Sequence, residues 1–205
     1  MRSIYWVRSD LRIHDNSVLN KFCELSQMGL VIWCPTASYL RADFNRKQFV
    51  DESLSVFSGQ LKNHGLSVVV KNKKMPEIIQ DLITNYKIDH IFWTKEFATE
   101  EVNEENIVAN ICKQNEIVFT ALDQNTLIHP SDLPFQINEM PFIFTDFRKN
   151  IEQKLLINTP QIVTKTWPKP IFAESDVGLL VRRFFSQVKP TSTEVVSAIE
   201  KELAR

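Results

Sequence analysis

Short apolar runs alternate with amphipathic stretches over the first 122 residues of the chain. The runs lie at residues 4–7, 30–34, 66–70, 90–94 and 118–122, and they are rich in β-branched and aromatic residues. Polar residues do not alternate with apolar ones inside them, which is typical of strands that are covered on both faces. The pattern therefore predicts five buried strands.

The intervening stretches carry apolar residues at helical spacing. Asp15 or Asn16 is placed to cap a first helix that runs to about Ser26, with Gly29 after its end. Its predicted buried face consists of Val18, Leu19, Phe22 and Leu25.

Three further helices are predicted from their start signals. Asn45 with Gln48 forms a capping box for a long helix that Gly65 closes, Pro76 lies in the first turn of the next helix, and Thr99 caps the last. The long helix has a predicted apolar stripe of Phe49, Ser53, Val56, Phe57 and Leu61.

Five strands that alternate with helices indicate an α/β fold, namely a doubly wound, Rossmann-like parallel sheet. Right-handed crossovers favour the strand order 3-2-1-4-5. In that order the chain reverses direction between strands one and four, and ligands of such sheets bind at the reversal. We expect a pocket between the loop at residues 8–16 and the loop at residues 95–104.

The loop after the first strand is dense in charge, with Arg8, Asp10, Arg12, His14 and Asp15 within eight residues. A buried strand does not tolerate such a run, so the chain leaves the core near Arg8. These side chains either line a ligand pocket or form an ion-paired loop that holds the first helix in place.

Composition narrows the function classes. The 205 residues are 43% hydrophobic and 24% charged, with a net charge of -1, which gives the chain no electrostatic bias towards nucleic acid. Three scattered cysteines, and the absence of a signal-peptide or membrane-span pattern, predict a cytoplasmic protein with reduced thiols. The four histidines and the cysteines show no metal-ligand spacing, so no metal site is predicted. The first strand–helix turn lacks the glycines of a dinucleotide site.

Several collinear motifs resemble the photolyase/cryptochrome family. The opening stretch Trp6-Val-Arg-Ser-Asp-Leu-Arg-Ile-His-Asp-Asn16 is similar to the first motif of that family. Arg46-Lys-Gln-Phe49 with Glu52-Ser-Leu54 resembles a helix motif, and residues 65–70 match the following strand. Residues 132–135 and 144–149 are most similar to the DASH branch, and the resemblance covers about residues 2–155.

The resemblance implies that residues 1–155 are the amino-terminal α/β antenna domain. Residues 156–205 are then a proline-punctuated linker with short helices. In the family this domain binds a light-harvesting chromophore that passes excitation to an FAD in a separate helical domain, which the 205 residues lack. The chain by itself is therefore not expected to repair pyrimidine dimers. It is either a free-standing antenna domain, a ligand-free interaction module, or a fragment of a complete light-dependent DNA-repair enzyme.

By the same resemblance, Asn103 and Glu104 are the expected ligands of a folate chromophore, methenyltetrahydrofolate, with Glu101 as the alternative ligand. A carboxylate accepts two hydrogen bonds from the donor edge of a pterin, and an amide can bond to the remaining donors and acceptors of the ring. The alternative interpretation is that these acids only stabilise the amino terminus of a helix.

For a flavin or deazaflavin chromophore, the matching positions are Arg8, Asp10, Leu11, Cys34, Arg46 and Phe49. In this reading Arg46 meets a phosphate or ribityl chain and Phe49 packs on a ring. Two alternatives stay open, namely an ion pair of Arg46 with Asp10 or Glu52, and core packing of Phe49.

Residues 175–204 carry two further helical patterns with apolar stripes. One includes Val177, Leu180, Val181, Phe184 and Phe185 beside Arg182 and Arg183, and the other begins with the capping box 191–194. We expect these stripes to pack back on the domain or to join another chain, as a protein partner or a homo-oligomer. Single-stranded nucleic acid is a disfavoured partner, given the net charge.

Overall fold

The strands of the computed structural model form one parallel sheet with helices on both faces. The structure describes residues 1–154, 159–163 and 165–171. The strand order β3-β2-β1-β4-β5 confirms the predicted topology, with β1 between β2 and β4. The strands are β1 Arg2–Val7, β2 Met28–Trp33, β3 Val68–Val70, β4 His90–Thr94 and β5 Val118–Leu122, and the helices are α1 Ser17–Leu25, α2 Ala37–Arg41, α3 Phe44–Lys62, α4 Met75–Tyr86, α5 Thr99–Gln114 and α6 Phe144–Lys154.

Each face of the sheet has its own apolar core. Tyr5, Val7 and Phe92 pack on one face, against residues of α1 and α3. Trp6 and Trp93 pack on the other, against residues of α4 and α5. Successive residues of a strand point to opposite faces, so both sets must be apolar. This arrangement explains the uninterrupted apolar runs in the sequence.

Some predicted helix boundaries are wrong. Asn16 caps α1 as expected, and its side chain accepts a hydrogen bond from the Leu19 amide. The helix then ends at Leu25, which is 43% exposed, and Gly29 lies inside β2 instead of ending the helix. Thr99 is the first residue of α5, and its N-cap Ala98 makes no side-chain capping bond. Two acidic side chains in the first turn favour this helix start without a side-chain cap.

Among the predicted helices, α3 differs most from its prediction, both in its N-cap and in its buried face. Asp43, not Asn45, caps it by accepting a hydrogen bond from the Arg46 amide. Its buried residues are Leu54, Phe57 and Leu61, whereas Phe49 is 70% exposed, so the core-packing alternative for Phe49 is wrong. Nineteen helical residues span roughly 28 Å, whereas the six residues of β2 span about 20 Å. The first half of α3 therefore extends past the carboxyl ends of the strands.

A sixth strand, not predicted from sequence, extends the sheet. Residues Lys169–Pro170, termed β6, pair with Met28 and Gly29 of β2 in parallel. The preceding residues also contact the domain, because Gln161 exchanges hydrogen bonds with Asp15 and Trp167 stacks on His64 at 4.1 Å. The domain boundary near residue 155 stays a prediction, and the predicted helices at 175–204 lie outside the described residues. Within the described ranges no helix is long and apolar enough to cross a membrane.

The tight packing at Gly29 gives a testable difference between two glycines. A Cβ at Gly29 would lie 2.4 Å from the Phe22 ring and 2.9 Å from Pro168. We expect Gly29→Ala to lower the free energy of unfolding by about 1–3 kcal/mol through overpacking. Gly59→Ala is the control, because its Cβ meets nothing within 4 Å inside α3, and it should raise stability by about 0.5–1 kcal/mol. Urea denaturation of both variants measures the two changes, and equal effects would contradict the packing argument.

Candidate functional site

The sheet brings the two predicted loops together. Because β1 and β4 are neighbours, the loop after β1 faces the loop that leads into α5. The Ser9 hydroxyl donates a hydrogen bond to Glu96, and Arg8 forms an ion pair with Glu105. We call the space between residues 8–16 and residues 95–105 the crevice. It lies at the predicted reversal of strand order.

Asp10 is the centre of a buried hydrogen-bond network on the wall of the crevice. Its carboxylate is fully buried and accepts hydrogen bonds from the Tyr5 hydroxyl, Thr94 Oγ1 at 2.6 Å and Gln124 Nε2 at 3.0 Å. The Arg8 amide donates to its other oxygen at 3.0 Å. Burial, followed by the charge of Asp10, raises the pKa of Tyr5 well above its usual value. Asp10 therefore braces the loop from four directions.

Asn16 and Gln124 extend this network to α1. The Asn16 amide group donates to the Tyr5 hydroxyl at 3.0 Å and to the Arg12 carbonyl at 2.8 Å. Gln124 Nε2 lies 2.7 Å from Thr94 Oγ1 and 3.1 Å from Asn16 Oδ1. Sequence reasoning missed Gln124. The available signal was a polar residue just past the end of β5, at the same edge of the sheet as the charged loop.

Arg8 is a buried cation rather than a solvent-exposed one. Its residue is 4% exposed, and its guanidinium carbon lies 4.5 Å from the centre of the Trp6 ring. One terminal nitrogen pairs with Glu105, and the other donates to the Glu101 carbonyl at 3.3 Å. Its Nε has no hydrogen-bond partner among the described residues. The side chain thus joins the end of β1 to α5, and its Nε–H group is left as a donor without an acceptor among the described residues.

Three acids of α5 hold other elements of the fold. Glu100 forms a two-bond ion pair with Arg41 of α2, at 2.9 and 2.6 Å. Glu101 accepts a hydrogen bond from the Ser38 hydroxyl at 3.0 Å, and Glu105 accepts from the Glu96 amide at 2.8 Å. Stabilisation of the helix amino terminus alone therefore does not describe what these acids do.

Glu104 differs from these three acids. It lies on the inner face of α5 in line with Val108 and Cys112, and it is 8% exposed. Its Oε1 has no hydrogen-bond partner among the described residues. Lys74 Nζ is 3.6 Å away, which is close enough for an ion pair but too far for a hydrogen bond. Burial raises the pKa of Glu104, and the charges of Lys74 and Arg8 oppose that rise.

The other predicted site residues fall into two groups. Arg8, Asp10 and Glu101 lie at the crevice. Cys34 is buried just past the end of β2, where burial raises the pKa of its thiol and the charge of the nearby Glu104 adds to that rise. Three residues are exposed, namely Asn103 beside Glu104 on α5 and Arg46 and Phe49 on the extending half of α3.

The proposed ion pair of Arg46 with Asp10 or Glu52 is wrong. The Asp10 carboxylate is occupied by the buried network, and Glu52 accepts a hydrogen bond from Gln48 at 2.8 Å. Arg46 contributes its backbone amide to the cap of α3. Its guanidinium stays on the exposed surface of that helix.

Comparison with known proteins gives consistent matches. A family model described as DNA photolyase matches residues 3–169. Cryptochrome DASH of Gloeobacter violaceus is 30% identical over 166 residues, which are 77% of this chain and 33% of the relative. The chain therefore spans about a third of the length of that relative.

Solved structures share the fold. The cryptochrome of Synechocystis sp. PCC6803 superimposes with a TM-score of 0.76 at 23% identity, over 83% of this chain and 37% of that one. An archaeal photolyase from Sulfolobus tokodaii gives a TM-score of 0.71 at 18% identity, over 89% and 41%. The latter structure is described as holding two FAD molecules, with the implication of a novel light-harvesting cofactor.

Proposed function

The chain belongs to the DNA photolyase family, and we propose that its α/β domain binds a light-harvesting chromophore in the crevice. The observation that carries this proposal is the Oε1 atom of Glu104, which is buried without a hydrogen-bond partner among the described residues. A buried carboxylate oxygen without a donor is costly. Lys74 Nζ, 3.6 Å from this oxygen, offsets part of that cost as an ion-pair partner, and a ligand with N–H groups would supply the missing hydrogen bond. Glu104 is therefore the acid of α5 that is best suited to bind a ligand.

The hydrogen-bonding groups of the site match those of a pterin ring. The ring offers adjacent N–H and NH2 groups, and a carboxylate accepts two hydrogen bonds from such an edge. Arg8 Nε is a second unused polar atom at the crevice and donates to a ring carbonyl or nitrogen. We propose Glu104 as the principal ligand of methenyltetrahydrofolate, with Asn103 and Glu101 at the rim. When bound, the folate supplies near-ultraviolet and blue absorption.

A flavin or deazaflavin is the second candidate. Phe49 presents a largely exposed ring on the extending half of α3, and Arg46 lies on the same exposed helix surface. A ring face and a cation suit a chromophore with a flat isoalloxazine and a phosphate or ribityl chain. The second FAD of the similarly folded Sulfolobus tokodaii photolyase supports this alternative.

The substitution Glu104→Gln tests whether Glu104 binds the chromophore or only stabilises the fold. We expect the purified full chain to take up methenyltetrahydrofolate, observed by its absorption and by quenching of its fluorescence. The substitution keeps the shape and removes the charge, so the dissociation constant should rise about tenfold or more. Glu100→Gln is the matched control one turn away, because Glu100 is exposed and paired with Arg41, and it should leave the affinity unchanged. Parallel titrations with FMN and FAD distinguish the second candidate.

The affinity should also depend on pH in a predictable direction. Only the ionised carboxylate accepts both hydrogen bonds, and burial raises the pKa of Glu104. Binding should therefore weaken as the pH falls towards that raised pKa, at a higher pH than an ordinary glutamate would give. The Glu104→Gln variant should lack this dependence. No uptake of any of the three chromophores, or equal affinity in the variant, would contradict the proposal.

A further inference from the structure

Lys74 occupies an unfavourable position for a lysine. It is the N-cap of α4, where its backbone is extended and its side chain makes no capping hydrogen bond. Serine, threonine, aspartate and asparagine are preferred at this position, and a cation is unfavourable beside the positive end of the helix dipole. The requirements of α4 alone therefore do not explain this lysine, and residues that break a local rule are expected at functional sites.

A carboxylate of the neighbouring helix accounts for the position of Lys74. Helices α4 and α5 pack together on one face of the sheet, and Lys74 Nζ lies 3.6 Å from Oε1 of Glu104. The Glu104 side chain is 10% exposed and that of Lys74 is 37% exposed, so water screens the pair only in part. Lys74 follows β3 and thus lies at the carboxyl edge of the parallel sheet, where the crevice also lies.

The other groups near Glu104 do not replace this cation. The charged or titratable groups around it, besides Lys74, are Arg8, Glu105, Glu101, Lys71, Glu77 and Cys34. Arg8 is already paired with Glu105, and the like charge of Glu101 disfavours the ionised form of Glu104. Burial favours the neutral form as well. The negative charge of Glu104 therefore depends chiefly on Lys74.

The protonation state of Glu104 determines which ring edge it can bind. An ionised carboxylate only accepts hydrogen bonds, so it matches an edge with two adjacent donors, such as the N–H and NH2 groups of a pterin. A neutral carboxyl group has one donor and one acceptor, so it matches an edge where an N–H lies beside a carbonyl. Lumazine has this second kind of edge, because an oxygen replaces the 2-amino group of pterin. The isoalloxazine of a flavin has it too.

We propose that Lys74 is a positioning residue that makes the crevice specific for amino-substituted rings, such as pterins, over dioxo rings, such as lumazine. It acts through Glu104, which it keeps as a pure acceptor of hydrogen bonds. This inference rests on the proposed binding of a chromophore at Glu104, and it adds the residue that selects the class of ring. Without Lys74, the preference of the site moves towards lumazine and flavins.

Fluorescence titration of the purified full chain with pterin and with lumazine tests the specificity. At about pH 6, where an ordinary glutamate is ionised, the wild type should prefer pterin about tenfold or more. Lys74→Met should lower this ratio about threefold or more, because the neutral form of Glu104 then accumulates. Lys74→Arg keeps a cation and should keep the ratio. Lys73→Met is the matched control, since it removes the same charge from an exposed residue of the same loop.

A titration without ligand tests the role of Lys74 separately. The carboxyl signal of Glu104 in carbon NMR, assigned by its loss in Glu104→Gln, should titrate at a higher pH in Lys74→Met than in the wild type and in Lys73→Met. Equal titration in all three chains, or an unchanged ratio of pterin to lumazine affinity in Lys74→Met, would overturn the inference. Absence of pterin uptake by the wild type would instead contradict the proposed function, and the Glu104 titration would still decide whether Lys74 controls its charge.

Discussion

Replacement of Asp10 by alanine is expected to lower the free energy of unfolding by about 3 kcal/mol or more. Its carboxylate is fully buried and accepts hydrogen bonds from Tyr5, Thr94, Gln124 and the Arg8 amide. The alanine removes the acceptor for all four donors and leaves them away from water. Thermal unfolding should show a melting temperature that is lower by roughly 10 °C.

The size of the loss in unfolding free energy shows whether Asp10 holds a structural network or acts only as a surface charge. Asp10→Asn should be intermediate, because the amide oxygen still accepts while its NH2 group faces donors. Asp81→Ala on the exposed side of α4 is the control, with an expected change within about 0.5 kcal/mol. If Asp10→Ala were as mild as Asp81→Ala, the charged loop would not be held by this network. Its role as a wall of the crevice would then need another explanation.

The strands and their order were predictable because each depends on a local or general rule. A strand covered on both faces must be apolar at every position, as Ile4 to Val7 are. Right-handed crossovers then leave few strand orders. Helix ends and faces were less predictable, since they depend on neighbours in space. Phe49 is exposed because α3 is longer than the sheet that it covers. Position 29 requires glycine because the Phe22 ring leaves no space for a Cβ there.

The candidate site was predictable in position but not in its contacts. Topology predicted that the loops at residues 8–16 and 95–104 lie together, and the structure confirms this juxtaposition. The partners of Asp10 were not readable, because Gln124 is 114 residues away in sequence. The inner position of Glu104 was readable in principle, because Val108 and Cys112 continue its face at four-residue spacing. Asn103 is offset by one residue from that face and is therefore exposed at its edge.

The ion pair between Arg8 and Glu105 is expected to show strong energetic coupling. Its side chains are 1% and 13% exposed, so water screens the interaction poorly. Glu105→Gln leaves the Arg8 cation buried without a counter-charge. Arg8→Met likewise leaves the Glu105 carboxylate without one. Each single change should cost about 3 kcal/mol. Arg8→Met preserves the apolar contact with Trp6, so the loss comes from charge rather than from packing.

The double variant should cost much less than the sum of the two single variants, with a coupling energy above about 1.5 kcal/mol in urea denaturation. The pair of Arg41 and Glu100 provides the matched cycle, because it joins the same helix α5 through exposed side chains. Its two substitutions should be nearly additive, since solvent and salt screen that pair. Additive effects at Arg8 and Glu105 would mean that the ion pair does not fix α5 against the end of β1. The hydrogen bonds from Arg8 to the Glu101 carbonyl and from the Glu96 amide to Glu105 would then hold the helix.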